Sequence, residues 1–214
     1  RMGAYLESVN ELIAQLLAFQ MPKHRKPQIL AVHASNRETS NTLTLWRKVK
    51  QHLAEDCSIQ EISLQNGTVV DCTGCTFSTC KHFGELCSCF YGGVMVEEVY
   101  PAILDCDALV MICPNYNDAV SANLSAFINR LTALFNQVRF YNKAVFAIVV
   151  SGYSGGDIVA KQVLGALNMN KSFLLPAKFA LFATANDPFS IEKIADIDAQ
   201  AAAFAHNMLA QLKK

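Results

Sequence analysis

Net charge and long runs of basic residues are both absent from this sequence. Its 18 Lys and Arg are balanced by 18 Asp and Glu, so the formal charge at pH 7 is zero. A protein that follows a phosphate backbone usually carries a strongly basic face. We therefore expect no nucleic-acid partner.

Apolar segments long enough to cross a membrane are absent too. A transmembrane helix needs about 18 to 20 consecutive apolar residues, and the sequence has no such run. The stretch GAYLESVNELIAQLLAFQ near the amino terminus is interrupted by Glu7, Asn10, Glu11 and Gln15, which break a signal-peptide core. Its apolar residues recur with the period of a helix. We predict an amphipathic helix here, a cytoplasmic protein and no membrane contact.

The two glycine-rich signatures of nucleotide binding are also missing. Neither G-x-G-x-x-G nor G-K-S/T occurs in the chain, which excludes a dinucleotide fingerprint and a Walker loop. Hydrophobic residues make up 52% of the sequence, enough to bury a sizeable core. We expect an amino-terminal helix and linker over residues 1–26, followed by one domain over residues 27–214.

Short apolar runs alternate with helical patterns along this domain. Strands of a parallel sheet have such continuous apolar runs because helices cover both faces of the sheet. The predicted strands are residues 28–34, 58–64, 108–113, 144–151 and 177–184. The predicted helices are residues 43–54, 94–104, 121–136, 157–168 and 191–212. The pattern predicts a three-layer α/β/α fold with a five-stranded parallel sheet of order 2-1-3-4-5, as in flavodoxin-like proteins.

Ligands bind such sheets at the carboxyl ends of the strands, so the loops after the first, third and fourth strands are of most interest. The first loop, SNRETSNT (residues 35–42), offers hydroxyls, a carboxamide, a guanidinium and the unpaired amides of a helix start. These groups suit a monophosphate. An ordinary helix cap at Ser40 or Asn41 is the alternative.

The first loop resembles the G-S-x-R-x-x-S-N-T loop of the NADPH-dependent FMN reductase and flavodoxin-like family, which binds the flavin phosphate. Ala34 stands where the family usually has Gly. The resemblance implies that FMN is the cofactor. Its phosphate would then be bound by Ser35, Arg37, Ser40, Asn41 and Thr42.

The loop after the third strand carries the most specific match. The sequence CPNYNDAVSANLSAFINR resembles the family's S-P-x-Y-x-x-x-x-S-A-x-L-K-A-F-I-D-R stretch, whose backbone lies along the isoalloxazine ring. The resemblance implies ring contacts from Pro114, Asn115, Tyr116 and Asn117. In the loop after the fourth strand, glycines allow the backbone to approach a flat ligand, although a bare turn is the alternative. The candidate contacts there are Ser151, Gly152, Tyr153, Gly155 and Gly156.

The resemblance implies an FMN-binding oxidoreductase that passes electrons from NAD(P)H to a quinone, flavin, metal or protein acceptor. We expect a homo-oligomer, again from the resemblance. No catalytic acid or base is predicted, because hydride transfer to a bound flavin requires none. The alternatives are a non-catalytic flavodoxin-like or iron-sulfur electron carrier, and a thiol-rich module that has lost its flavin.

Five of the eight cysteines lie within CTGCTFSTCKHFGELCSC, residues 72–89. Four thiolates in one loop can hold a 4Fe-4S cluster, and zinc accepts the same ligands. The loop resembles the four-cysteine motif of iron-sulfur flavoproteins, which implies a cluster bound by Cys72, Cys75, Cys80 and Cys87. The wider gap between the second and third cysteines departs from that motif. Free thiols without a metal are therefore an equal alternative.

Overall fold

Five parallel strands form the centre of the computed structural model, which describes residues 2–35, 37–65, 67 and 69–214. The strands are β1 (Gln28–His33), β2 (Ser58–Ser63), β3 (Ala108–Asn115), β4 (Ala144–Ser151) and β5 (Ala180–Thr184). They are hydrogen-bonded in the order β2-β1-β3-β4-β5, and every pair is parallel. The predicted sheet order is confirmed.

Helices connect successive strands. In the described part of the chain the α-helices are α1 (Met2–Ala18), α2 (Asn41–Gln51), α3 (Phe77–Glu85), α4 (Tyr100–Asp105), α5 (Ala122–Phe135), α6 (Gly156–Val163) and α7 (Ile197–Leu212). A π-helical turn at Met95–Val99 leads into α4, and another at Leu164–Met169 follows α6. A 3-10 turn at Ser190–Lys193 precedes α7. The sequence does not predict α3, because its polar residues and its single cysteine give no clear apolar period.

Both faces of the sheet are covered, which explains the continuous apolar strands. All eight residues of β4 are buried. Successive side chains of a strand point to opposite faces. In β3, Leu109 and Met111 pack into the core beneath α4, α5 and α6, whereas Val110 and Ile112 pack into the core beneath α2 and α7. The three-layer architecture is therefore confirmed.

The predicted amphipathic helix is present as α1, and it exposes large apolar side chains, among them Tyr5, Leu6, Ile13 and Leu17. In the segment after α1, the amide of His24 donates to Leu212 O at 2.7 Å. The predicted division between residues 26 and 27 stays a prediction. None of the described helices is both long and apolar enough to cross a membrane.

Candidate functional site

A cleft of about 250 Å³ lies at the carboxyl ends of the strands, where β1 and β3 are neighbours. This is the switch point at which open α/β sheets bind ligands. The residues that line it are Ser35, Arg37, Thr39, Ser40, Asn41, Thr42, Pro114, Asn115, Tyr116, Val150, Gly152, Ala185, Asn186 and Pro188. The structure therefore brings all five predicted phosphate-loop residues together with three residues of the β3 loop and one of the β4 loop.

The first loop gives the cleft a positive character. Arg37 is the one charged residue among those that line the cleft, and it forms no ion pair with any described residue. The amino terminus of α2 adds unpaired amides and the positive end of a helix dipole. Because no lining residue carries a negative charge, the cleft is suited to an anion.

Ser40 is the N-cap of α2. Its Oγ accepts a hydrogen bond from the amide of Leu43 at 3.3 Å, and its own amide donates to Arg37 O at 3.2 Å. A hydroxyl can accept one hydrogen bond and still donate another. The capping role and a contact with an anion are therefore compatible.

The carboxamide of Asn41 connects α2 to the loop after β5. Its Nδ2 donates to Ala185 O at 3.2 Å and to Asp187 O at 2.8 Å, and its Oδ1 accepts from the amide of Ile191 at 3.3 Å. Because this side chain is already engaged at both ends, it positions the loop. The backbone amide of Asn41, the first residue of α2, is still available to a ligand in the cleft.

The loop after β5 is the part of the cleft that the sequence does not predict. Ala185, Asn186 and Pro188 line the cleft. Two further lining residues outside the predicted set are Thr39 and Val150. The signal for the β5 loop is the ANDP sequence directly after an apolar strand, since polar residues and proline at a strand's carboxyl end indicate a loop on the ligand side.

The loop after β3 turns sharply at Asn117 and Asp118. Both residues have φ near +55°, and the amide of Ala119 donates to Tyr116 O at 3.3 Å. Two successive left-handed residues are typical of a type I′ turn, in which Asn and Asp are tolerated. Asn117 does not line the cleft. It belongs to the turn that directly follows Tyr116.

Asn115 holds the loops after β3 and β4 together. Its Nδ2 contacts Asp118 Oδ1 at 3.1 Å, Ser151 Oγ at 3.1 Å and Ser154 O at 2.8 Å. From α6, Gln162 Nε2 donates to Asp118 O at 2.8 Å, a contact that the sequence does not predict. These bonds fix the shape of the cleft wall.

Gly155 is required where these two loops meet. A Cβ atom added there would lie 1.7 Å from Asp118 Oδ1, and the φ of Gly155 is +80°. Ser151 and Gly156 line a smaller neighbouring cavity with Phe182. Of the predicted residues of the β4 loop, Gly152 alone lines the main cleft, and the others lie behind or beside it.

Two tyrosines stand at the solvent side of the site. Tyr116 lines the cleft and is 64% exposed, and Tyr153 is 83% exposed without lining it. Exposed aromatic rings at the edge of a cleft can stack on a flat ligand.

The cysteine-rich segment lines a second cavity of about 310 Å³ that shares no lining residue with the cleft. Three of the predicted cluster ligands, Cys72, Cys75 and Cys80, line it with Cys89, whereas Cys87 does not. Among the described residues, no group of three or more His, Cys, Asp or Glu could hold a metal ion. The predicted four-cysteine cluster is therefore not supported.

Comparisons with known proteins agree with this fold. The family model described as NADPH-dependent FMN reductase matches residues 27–187. No curated protein matches the sequence.

Solved structures with the same fold include a putative quinone reductase from Klebsiella pneumoniae, with a TM-score of 0.64 and 14% identity over 88% of this chain and 87% of the other. An NAD(P)H:quinone oxidoreductase from Methanothermobacter marburgensis has a TM-score of 0.60 and 14% identity over 86% and 99%. An azoreductase from Bacillus anthracis str. Sterne has a TM-score of 0.59 and 14% identity over 86% and 99%. At these identities the likeness shows the fold alone.

Proposed function

Because the chain belongs to the NADPH-dependent FMN reductase family, we propose that its cleft binds FMN and passes electrons from NAD(P)H to a small-molecule acceptor. The family makes the chain a flavin-dependent oxidoreductase. The observation that supports this site is the meeting, in one cleft, of the polar first loop and its Arg37 with Pro114, Asn115 and Tyr116 at the end of β3.

The first loop would hold the phosphate. Ser35, Arg37, Ser40 and Thr42 line the cleft together with the start of α2, so three hydroxyls, a guanidinium and helix-start amides are close to it. Charge-assisted hydrogen bonds from a guanidinium to phosphate are stronger than neutral ones. A dianionic phosphate would therefore find a cation, donors and a helix dipole in one place.

The loops after β3 and β4 would hold the ring. Pro114, Asn115 and Tyr116 line the cleft beside Gly152, whose missing side chain leaves the backbone accessible. Bound FMN supplies hydride transfer at its N5 position, and the protein positions the reactants. The polar network around Asn115 keeps the wall rigid, so that a donor and an acceptor can occupy the exposed side in turn.

The acceptor would enter from the solvent side of the cleft. The open side beside Tyr116 and Tyr153 suits a flat molecule such as a quinone or a free flavin, because stacking on an aromatic ring is favourable. Metal complexes and protein acceptors remain alternatives, as does a non-catalytic electron carrier.

The cytoplasmic location of the protein stays a prediction.

Flavin titration followed by anaerobic reduction tests this proposal. We expect the protein to quench the fluorescence of one FMN per chain, and NADPH or NADH to bleach the bound flavin within a catalytic turnover time. Bound FMN that NAD(P)H does not bleach would favour the electron carrier. Failure to bind FMN would contradict the proposed site.

A further inference from the structure

The eight free thiols of the chain fall into two classes. Cys57, Cys106 and Cys113 are buried in the core, and burial raises their thiol pKa to about 11, about 12 and about 12. The thiolate is the reactive form of cysteine, and a raised pKa leaves very little thiolate, so these three thiols are unreactive. The thiols in the segment of residues 72–89 are partly or fully exposed, and four of them line the second cavity, which we call the thiol cavity: Cys72, Cys75, Cys80 and Cys89.

Two of these thiols are neighbours at the start of α3. Cys75 directly precedes Thr76, the N-cap of α3, and Cys80 is the fourth residue of that helix. Side chains at these two positions commonly pack against each other at a helix start. Asn136 Nδ2 lies 3.6 Å from the Sγ of Cys80 and so ties it to the end of α5. The pair is therefore held at short range by a helix cap and by a neighbouring helix.

A buried cation lines the same cavity. Arg130 is 2% exposed, and its two terminal nitrogens donate to Val70 O at 3.3 Å and to Gly92 O at 2.7 Å. Among the described residues its Nε has no hydrogen-bond partner and its guanidinium has no carboxylate partner. A buried positive charge without a carboxylate favours the anionic form of nearby groups. The ionisable groups that line the thiol cavity with Arg130 are the four thiols and the phenol of Tyr91, whose ring centroid lies 5.8 Å from the guanidinium carbon.

We propose that the thiol cavity is a dithiol redox site in which Cys75 and Cys80 are reversibly oxidised to an internal disulfide by a low-molecular-weight disulfide. The thiolate of Cys75 attacks one sulfur of the oxidant, which releases one thiol and leaves a mixed disulfide on Cys75. Cys80 then attacks the sulfur of Cys75 and releases the second thiol. The two cysteines together lose two protons and two electrons. The oxidant takes up these protons and electrons and is released as two thiols.

The order of the two attacks follows from the surroundings of the pair. Cys80 packs against the core beneath α5, and burial, reinforced by the neighbouring cysteine thiols, raises its pKa. A thiol of raised pKa is less often the attacking thiolate when the oxidant arrives from solvent. Cys75 therefore reacts first, and Cys80 resolves the mixed disulfide.

This site is separate from the proposed flavin cleft, because the two cavities have no lining residue in common. Substitution of Cys75 or Cys80 should leave FMN binding and its reduction by NAD(P)H unchanged. That independence distinguishes a failure of the redox proposal from a failure of the proposed function.

The test is to equilibrate the full-length protein with mixtures of glutathione disulfide and glutathione under argon. Free thiols are then trapped with N-ethylmaleimide and counted by intact mass. We expect the wild-type protein to lose two reactive thiols without gaining glutathione, and excess glutathione to restore both. Cys80→Ser should stop at a single glutathione adduct. Cys75→Ser should no longer lose two thiols to an internal disulfide. FMN titration of each variant reports whether it is folded.

Cys87→Ser is the matched control, since Cys87 is an exposed thiol of the same segment that does not line the thiol cavity. This variant should respond like the wild type. The proposal is overturned if the wild type loses no reactive thiols. It is also overturned if Cys75→Ser or Cys80→Ser still loses two thiols, or if Cys87→Ser no longer loses two. Iron and acid-labile sulfide bound to the four cavity thiols would overturn it too.

Discussion

At the scale of single residues, Arg37 and Asn41 contribute to the same cleft in different ways. Arg37 is exposed and forms no ion pair with a described residue, so its charge is available to a ligand. Asn41 is buried, and its carboxamide is bonded to the loop after β5. The same polar loop thus contains a residue whose charge is available to a ligand and a residue that builds the wall.

Arg37→Ala should weaken FMN binding by about 10- to 100-fold. A hydrogen bond to a charged group contributes about 1.5–3 kcal/mol, and each 1.4 kcal/mol is a tenfold change in Kd. Fluorescence titration measures the change. Arg25→Ala is the control, because Arg25 is also exposed and lies just before β1, at the amino end of the sheet. Equal Kd values for the two variants would contradict the phosphate contact.

Gly155→Ala should destabilise the protein by about 2–4 kcal/mol, because a left-handed alanine is strained and its methyl would overlap Asp118. Urea denaturation measures the loss, and FMN binding should weaken as the two loops separate. Gly165→Ala is the matched control. No atom lies within 4 Å of a Cβ added at Gly165, and its φ is not left-handed, so we expect no loss of stability there. Similar stabilities of the two variants would show that the loops tolerate the methyl group.

At the scale of elements, the pairing of β1 with β2 includes an ionisable contact close to the carboxyl edge. Glu61 of β2 contacts His33 of β1, with 3.6 Å between Nε2 and Oε1. Trp46 Nε1 and Lys50 Nζ of α2 donate to its other oxygen at 2.8 Å and 3.2 Å. Hydrogen bonding, chiefly from His33, lowers the pKa of Glu61 from 4.5 to about 2 despite its burial.

This contact makes part of the stability depend on pH. A carboxyl group whose pKa is lower in the folded state contributes stability above its unfolded value, and that stability is lost as the pH falls toward the folded value. The wild type should therefore lose about 2 kcal/mol from this group between pH 5 and pH 3. The free energy of unfolding of Glu61→Gln, measured by urea denaturation, should fall less than that of the wild type between pH 5 and pH 3. Glu55→Gln, at an exposed site without an ion pair among the described residues, should behave like the wild type.

If Glu61→Gln and the wild type have parallel stability curves between pH 5 and pH 3, the contact between β1, β2 and α2 does not set the acid sensitivity. Other carboxylates would then account for any loss.

At the scale of the whole molecule, α1 is an exposed apolar feature, because its large apolar side chains are not covered by the domain. Leu6 is 55% exposed and Leu17 is 82% exposed, close to exposed Tyr5 and Ile13 on the same helix. Exposed apolar patches usually mark interaction surfaces. This favours the predicted homo-oligomer, with a second copy of the chain covering α1.

Replacement of Leu6 and Leu17 by Glu should shift the protein to a smaller oligomer or a monomer, because two charges would be buried in the contact. Analytical ultracentrifugation over a range of concentrations measures this. Asn10→Glu is the control, since it adds a charge at an exposed polar position of α1. An unchanged mass in the double variant would exclude α1 as the contact.

The sequence by itself determined the strands, most of the helices and the residue types of the first loop. Continuous apolar runs follow from burial on both faces of a sheet, and a polar loop before a helix brings donors to the carboxyl edge. These are local properties, so they can be read one segment at a time.

Only the tertiary structure decided which side chains meet. Asn41 bonds to Asp187 across 146 residues, and Gln162 fixes the loop after β3 from a separate helix. The folded chain places Cys89, and not Cys87, in the thiol cavity with the other three cysteines. Such contacts depend on how distant elements pack, and packing is a property of the folded chain that no single segment carries.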